Sequence, residues 1–185
     1  AFEAKFIELG GTIKTSEAYK TGEVDFRAQL SKIKESNPEA IFLPALYKQI
    51  GLAANQARQL GIECRFLGTD SWAMVDVLTL GGDSIEDSYF TSVLDLDDPL
   101  LDGLKEKYLE KYNEHLEDMA YDGFAAHDAF KVLVDAINRA GNSDPIAIRD
   151  ALEHTKDVEG CAFNISIDPE THNPDTQAYI MKVED

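Results

Sequence analysis

Asp70 and Trp72 stand two residues apart behind an apolar run, Phe66-Leu67-Gly68, in the stretch CRFLGTDSWAMVD. Tyr47 follows a second such run in AIFLPALYKQ. A carboxylate with two aromatic faces suits a cation that has an apolar part, such as an amino acid. The carboxylate fixes the ammonium, and the rings hold the cation or the side chain. At 4 Å and an effective dielectric near 20 the ion pair is worth roughly 4 kcal/mol. Desolvation cancels part of this, so Asp70 would orient the ligand more than supply affinity. Burying the apolar part adds roughly 25 cal/mol per Å². Each residue also has a simpler reading: Asp70 as cap of a helix beginning near Trp72, Trp72 as core, Tyr47 as packing on its neighbours. Lys48 and Gln49 read as solvated.

Positioning these residues falls to the two apolar runs. AIFLP (40–44) reads as a strand buried on both faces and CRFLG (64–68) as the next strand. Between them KQIGLAANQARQLG reads as a helix, with Ile50, Ala53, Ala54 and Ala57 on one side and Gly61 closing it. A single βαβ crossover makes the two strands parallel neighbours. Their following loops then project from one sheet edge, where open α/β sheets bind ligands. Tyr47, Asp70 and Trp72 would converge on one crevice.

The same alternation runs from residue 12 to residue 94. GTIKTSEAYK reads as a strand, with alternation around Ile13. VDFRAQLSKIKESNPEA reads as a helix with Asp25 as N-cap and Phe26, Leu30 and Ile33 at helical spacing, stopped by Asn37-Pro38. WAMVDVLTLGG reads as a helix and DSYFTSVL as a strand. The second half is different. DPLLDGLKEKYLEKYNEHL is a long helix with a stripe of Leu100, Leu101, Leu104, Tyr108 and Tyr112. AYDGFAAHDAFKVLVDAINRAG is longer and more apolar, and is therefore expected to be central. DPIAIRDALEHT is a third helix, capped by Ser143 or Asp144 with Pro145 near N1. The tail CAFNISIDPETHNPDTQAYIMKVED reads as two strands joined by a polar turn region. A sheet half, a helical half and a returning hairpin predict two lobes with the chain crossing between them.

Composition narrows the function classes. The 185 residues allow one ordinary domain or two small lobes, and 44% apolar content predicts a buried core. Thirty-five acidic against 17 basic residues leave a formal charge of −18, which repels phosphate backbones and anionic lipid. Nucleic acid and direct membrane insertion are thus excluded as expectations, and no apolar run approaches the ~20 residues of a membrane span. The opening AFEAKFIELGG reads as an amphipathic helix with Phe2, Phe6 and Ile7 on one face, ended by Gly10-Gly11. A domain that opens inside a helix is expected to have been cut from something longer, so the lack of a signal pattern says nothing of compartment.

Catalytic signatures are missing: no GxGxxG behind a strand, no Walker loop, no GxSxG, no HExxH. Asp95, Asp97, Asp98 and Glu106 have the spacing of a calcium loop. Pro99 and Leu100, however, occupy places that need an oxygen ligand and a glycine. His115, His127, His154 and His172 share no ligand spacing, and His127, mid-helix, reads as a satisfied core residue. Cys64 and Cys161 are too few for a structural zinc site and read as free buried thiols rather than a disulfide. No metal, cofactor or catalytic residue is assigned.

The succession GGTIKTSEAYKTGEVDFRAQLSKIKESNPEAIFLP, GLAANQARQLGIECRFLGTDSW, AYDGFAAHDAFKVLVDAINRAG and GCAFNISID resembles the type I periplasmic binding proteins, in particular the branched-chain amino acid (Leu/Ile/Val) receptors of ABC transporters. The resemblance implies an α/β Venus-flytrap fold, of which this chain is similar to the C-terminal half: a parallel-sheet lobe flanked by helices, plus helices from the other lobe. Residues 1–93 would form most of the C-terminal ligand-binding lobe, 94–160 a helical segment of the N-terminal lobe, and 161–185 a hairpin returning to the first. In the family pattern the acidic residue for the ligand's α-ammonium falls on Asp70 and an aromatic contact on Tyr47, with Trp72 beside them as a third candidate. Where the family often has Tyr before Asp-Ala, this chain has His127 before Asp128-Ala129.

The implied function is a non-catalytic, extracytoplasmic receptor that holds an amino acid or analogue between two lobes and delivers it to a membrane permease. Its location would be periplasmic or extracellular, with a lipid anchor possible through a preceding segment. A sensory or regulatory domain of the same fold is the alternative, and an α/β enzyme a more distant one.

Overall fold

The computed structural model describes residues 2–116, 120–175 and 177–184. Ala1, Thr176 and Asp185, which the sequence places in the first helix and the tail, lie outside the described residues. The chain forms two compact units: Ala1–Phe90 with Met181–Asp185, and Thr91–Ile180.

In the first unit, helix α1 (Phe2–Glu8) leads through an extended run to α2 (Arg27–Glu35), strand β1 (Ala40–Phe42), helix α3 (Tyr47–Gln59) and strand β2 (Arg65–Gly68). A 3-10 turn (Asp70–Ala73), α4 (Val75–Gly81), a second 3-10 turn (Gly82–Ile85) and the start of strand β3 (Tyr89–Ser92), whose last two residues open the second unit, follow. β1 pairs parallel with β2, Ile41 opposite Phe66, and β2 pairs parallel with β3, Leu67 opposite Tyr89. Helix α3 forms because its apolar residues recur at helical spacing: Ile50, Ala53, Ala54 and Ala57 are all at most 3% exposed. It ends where Gly61 takes φ +74°, its N–H bonding Arg58 O while Ile62 N–H reaches Ala57 O. This is the paired 6→1 and 5→2 closure that favours glycine.

Three sequence expectations need correction in this unit. GTIKTSEAYK forms no strand, although Ile13, Thr15 and Glu17 are half-buried and alternate with exposed neighbours. A strand needs a partner about 4.8 Å away, and between this run and β1 lies a groove of about 680 Å³ lined by both. WAMVDVLTLGG is not one helix: Met74, at ψ 132°, breaks it into the 3-10 turn and α4. Asp25 acts one residue earlier than expected. Phe26 occupies the cap position of α2, and the Asp25 carboxylate accepts the Arg27 N–H at 3.2 Å.

The second unit holds a 3-10 turn (Pro99–Leu101), helices α5 (Asp102–Tyr112), α6 (Ala120–Ala140) and α7 (Pro145–Glu153), and the short antiparallel strands β4 (Val158–Glu159) and β5 (Asn164–Ile165). Leu94, Leu101, Leu116 and Phe124 form its core. Asp98 caps the first turn by accepting the Leu100 N–H at 2.9 Å, so one member of the acidic run serves turn chemistry. Asp144 caps α7, with Pro145 as its first residue. The expected long helix through residue 116 stops at Tyr112, because Asn113 turns left-handed at φ 55°. α6 is not buried all round: Phe124, Val132 and Ala136 are covered, whereas Phe130, Leu133, Val134 and Ile137 are exposed.

The tail is no simple hairpin. β5 pairs with β4, and the last strand, β6 (Tyr179–Lys182), joins the main sheet in the order β1-β2-β3-β6. The stretch 161–180 belongs to the second unit, and the return to the first occurs at Met181.

Candidate functional site

The parallel register of β1 and β2 places both following loops behind the same sheet edge, and the bond from Leu43 N to Leu67 O, 2.8 Å, continues the pairing to the last residues of the strands. Behind β1, Tyr47 is the first residue of α3, half-buried against the core. Behind β2, Asp70 opens the 3-10 turn that packs on α3. The cap positions of the turn and of α4 are Thr69 and Met74, so Asp70 does not occupy the N-cap of either. Tyr47 and Asp70 are thus carried by touching elements at one edge. Lys48 lies 5.7 Å from the Tyr47 ring centroid, a cation over the aromatic face.

Trp72 is elsewhere. It is 0% exposed, and its indole N–H donates to Leu43 O at 3.1 Å. Phe66 lies beside it with ring centroids 6.2 Å apart. The ring has no exposed surface and joins the ends of β1 and β2, which sets the relation between the Tyr47 and Asp70 loops. Gly68 permits this packing, since a Cβ there would come within 2.3 Å of the indole. The 680 Å³ groove is also elsewhere. None of Tyr47, Asp70 and Trp72 lines it.

A second constellation lies in the other unit, and the sequence reading missed it. His127 Nδ1 sits 2.9 Å from Asp128 Oδ1, and Cys161 Sγ lies 3.2 Å from that nitrogen and 2.9 Å from that oxygen. The Cys161 N–H donates to Asp128 Oδ2 at 3.0 Å. His127 is therefore no core residue, its side chain being 39% exposed, and Cys161 is a half-buried free thiol. Burial and the adjacent Asp128 carboxylate push the Cys161 thiol up to about 12. Cys64 is likewise free and half-buried, and burial raises its thiol too. Spacing could not reveal the trio, because Cys161 lies 34 residues beyond His127.

The sequence profile described as Periplasmic binding protein matches residues 1–185. The Leu/Ile/Val-binding protein homolog 2 of Brucella abortus (strain 2308) is 25% identical over 178 residues, covering 96% of this chain and 47% of that protein. The crystal structure of a leucine-binding protein from Thermotoga maritima MSB8 superposes with a TM-score of 0.88 at 32% identity, covering 99% of this chain and 52% of that one. A branched-chain amino acid transporter substrate-binding protein from Streptococcus pneumoniae, solved with isoleucine, gives 0.80 at 28% identity, with 97% and 52% covered. The chain spans about half the length of these relatives. Among the described residues no helix is long and apolar enough to cross a membrane. An alignment that runs from end to end and a fold that superposes on solved structures lead to one assignment: this chain belongs to the periplasmic binding protein family, type I, and within it is similar to the branched-chain amino acid group.

Proposed function

We propose that the protein is an extracytoplasmic solute receptor of an ABC importer, non-catalytic, binding an amino acid or a close analogue and passing it to a membrane permease. Asp70 receives the ligand's α-ammonium, and Tyr47 lays its ring against the ligand. Trp72 acts through position, from within the core. The carrying observation is the parallel register of β1 and β2, which sets Tyr47 and Asp70 on touching elements behind one sheet edge. Ligand binding then shifts the population toward the conformation the permease accepts, by as much as the ligand prefers that conformation.

The test is calorimetric titration of the full-length protein with leucine, isoleucine, other amino acids, amides and aromatic acids, beside Asp70→Ala. Micromolar or tighter binding of an amino acid, lost in a variant with unchanged thermal stability, is expected. Unchanged affinity in Asp70→Ala would overturn the ammonium contact, and binding of only those acids that lack an ammonium would overturn the ligand class.

A further inference from the structure

We propose that His127, Asp128 and Cys161 form a three-ligand site for a zinc-type divalent transition metal. One donor atom from each residue, an imidazole nitrogen, a carboxylate oxygen and a thiol sulfur, lies within 4.8 Å of the others. The nearest separations are 2.9, 2.9 and 3.2 Å. Zinc binds Cys sulfur at about 2.3 Å, His nitrogen near 2.0 Å and carboxylate oxygen near 2.1 Å. Tetrahedral angles at those lengths put donor pairs roughly 3.4–3.6 Å apart. Each separation therefore has to open by roughly 0.3–0.7 Å, which side-chain rotation supplies.

The surroundings hold these donors in place. His127 and Asp128 are neighbours on the 21-residue helix α6. The second oxygen of Asp128 is anchored by the Cys161 N–H, so the carboxylate is oriented before any ion arrives. Gly160 is what lets that strand-side turn come so near: a Cβ there would stand 2.6 Å from Asp128 Oδ2. The site is shielded without being sealed, with Asp128 at 13% side-chain exposure and His127 at 39%. Soft sulfur with borderline nitrogen selects zinc, cobalt or nickel over calcium and magnesium, which prefer all-oxygen sets. Three protein donors leave a fourth position for water or solute. On binding, the thiol S–H bond breaks, the sulfur–metal bond forms and the proton passes to buffer.

The test is cobalt titration of the chelator-treated chain, read by absorption. The expected result is saturable binding at one ion per chain, with a thiolate-to-cobalt charge-transfer band and the intense visible bands of a tetrahedral site, both lost on adding zinc. Cys161→Ser should abolish the charge-transfer band while circular dichroism stays unchanged. His127→Phe and Asp128→Asn should each weaken affinity by roughly 10–100-fold. Cys64→Ser, outside the trio, should alter nothing. Absence of saturable binding in the wild-type chain, or a charge-transfer band that survives in Cys161→Ser, would overturn the site. Because Asp128→Asn also removes structural hydrogen bonds, zinc-dependent thermal shift is compared in wild type and Cys161→Ser. An equal shift in both would count against the proposal as well.

Discussion

The indole N–H of Trp72 donates to the carbonyl oxygen of Leu43 across 3.1 Å, fastening the turn behind β2 to the end of β1. The two loops that carry Tyr47 and Asp70 are therefore held to each other by a fully buried side chain. Trp72→Phe keeps most of the volume and removes the bond, at a cost of about 1 kcal/mol. Trp72→Ala empties a fully buried site and should cost about 3–5 kcal/mol. Urea denaturation followed by circular dichroism checks both values.

Gly68 lies against the same ring. Gly68→Ala would force a methyl to within 2.3 Å of the indole, and the ring must move. Overpacking of this kind costs about 1–3 kcal/mol. If Trp72 positions Asp70, ligand affinity in the full-length protein falls together with the melting temperature. A drop in stability with affinity intact would separate the two.

Gln56, 7% exposed, joins α3 to the start of α2: its Oε1 accepts the Phe26 N–H at 2.7 Å and its Nε2 donates to Val24 O at 2.8 Å. Gln56→Met retains bulk and leaves the buried Phe26 N–H without an acceptor, which should cost about 1–3 kcal/mol. Hydrogen exchange at the Phe26 amide should accelerate well beyond that of amides in the middle of α3.

Lys182 bonds Asp87 at 2.7 Å, close to where the Val183 N–H reaches Ser88 O. The ammonium holds the Asp87 carboxyl below the ordinary carboxylate range, and the carboxylates of Asp87 and Glu184 raise Lys182. The Asp87 contribution is complete above its unfolded pKa of about 3.9 and is lost as pH falls through the lower folded value. The Lys182 contribution is complete below its unfolded pKa of about 10.4 and is lost as pH rises through the higher folded value. Both groups are exposed, so salt should weaken the pair. NMR titration of the Asp87 carboxyl in wild type and Lys182→Met checks this, with the Asp87 midpoint rising in the variant.

What could be read directly in the residues was local. The spacing of Ile50, Ala53, Ala54 and Ala57 specifies α3, Gly61 its end, and Pro145 behind Ser143 or Asp144 the start of α7, the structure choosing Asp144, because helix periodicity and capping depend on residues within a turn or two of each other. AIFLP and CRFLG were legible as strands from their apolar runs, and the one helix between them made them parallel. Phe42, like Leu67 in CRFLG, is only half-buried, although AIFLP reads as covered on both faces. The neighbouring loops of Tyr47 and Asp70 followed from that topology alone.

Contacts across the sequence decided the rest. GTIKTSEAYK has the alternation of a strand, and its residues keep that alternation, but a strand exists only where a second one lies within hydrogen-bonding reach. Trp72 is buried where Leu43, 29 residues away, offers its indole N–H a partner inside the core. His127 and Cys161 looked unrelated, and they met only when the turn at Gly160 folded onto α6. The sequence by itself determined most of the helices and the parallel strands, since periodicity and caps are short-range, and it carried the family through the succession of those segments along the chain. Tertiary structure alone decided which polar groups meet, because hydrogen bonds and metal-ligand distances depend on ångström-scale approach between segments that the chain separates by tens of residues.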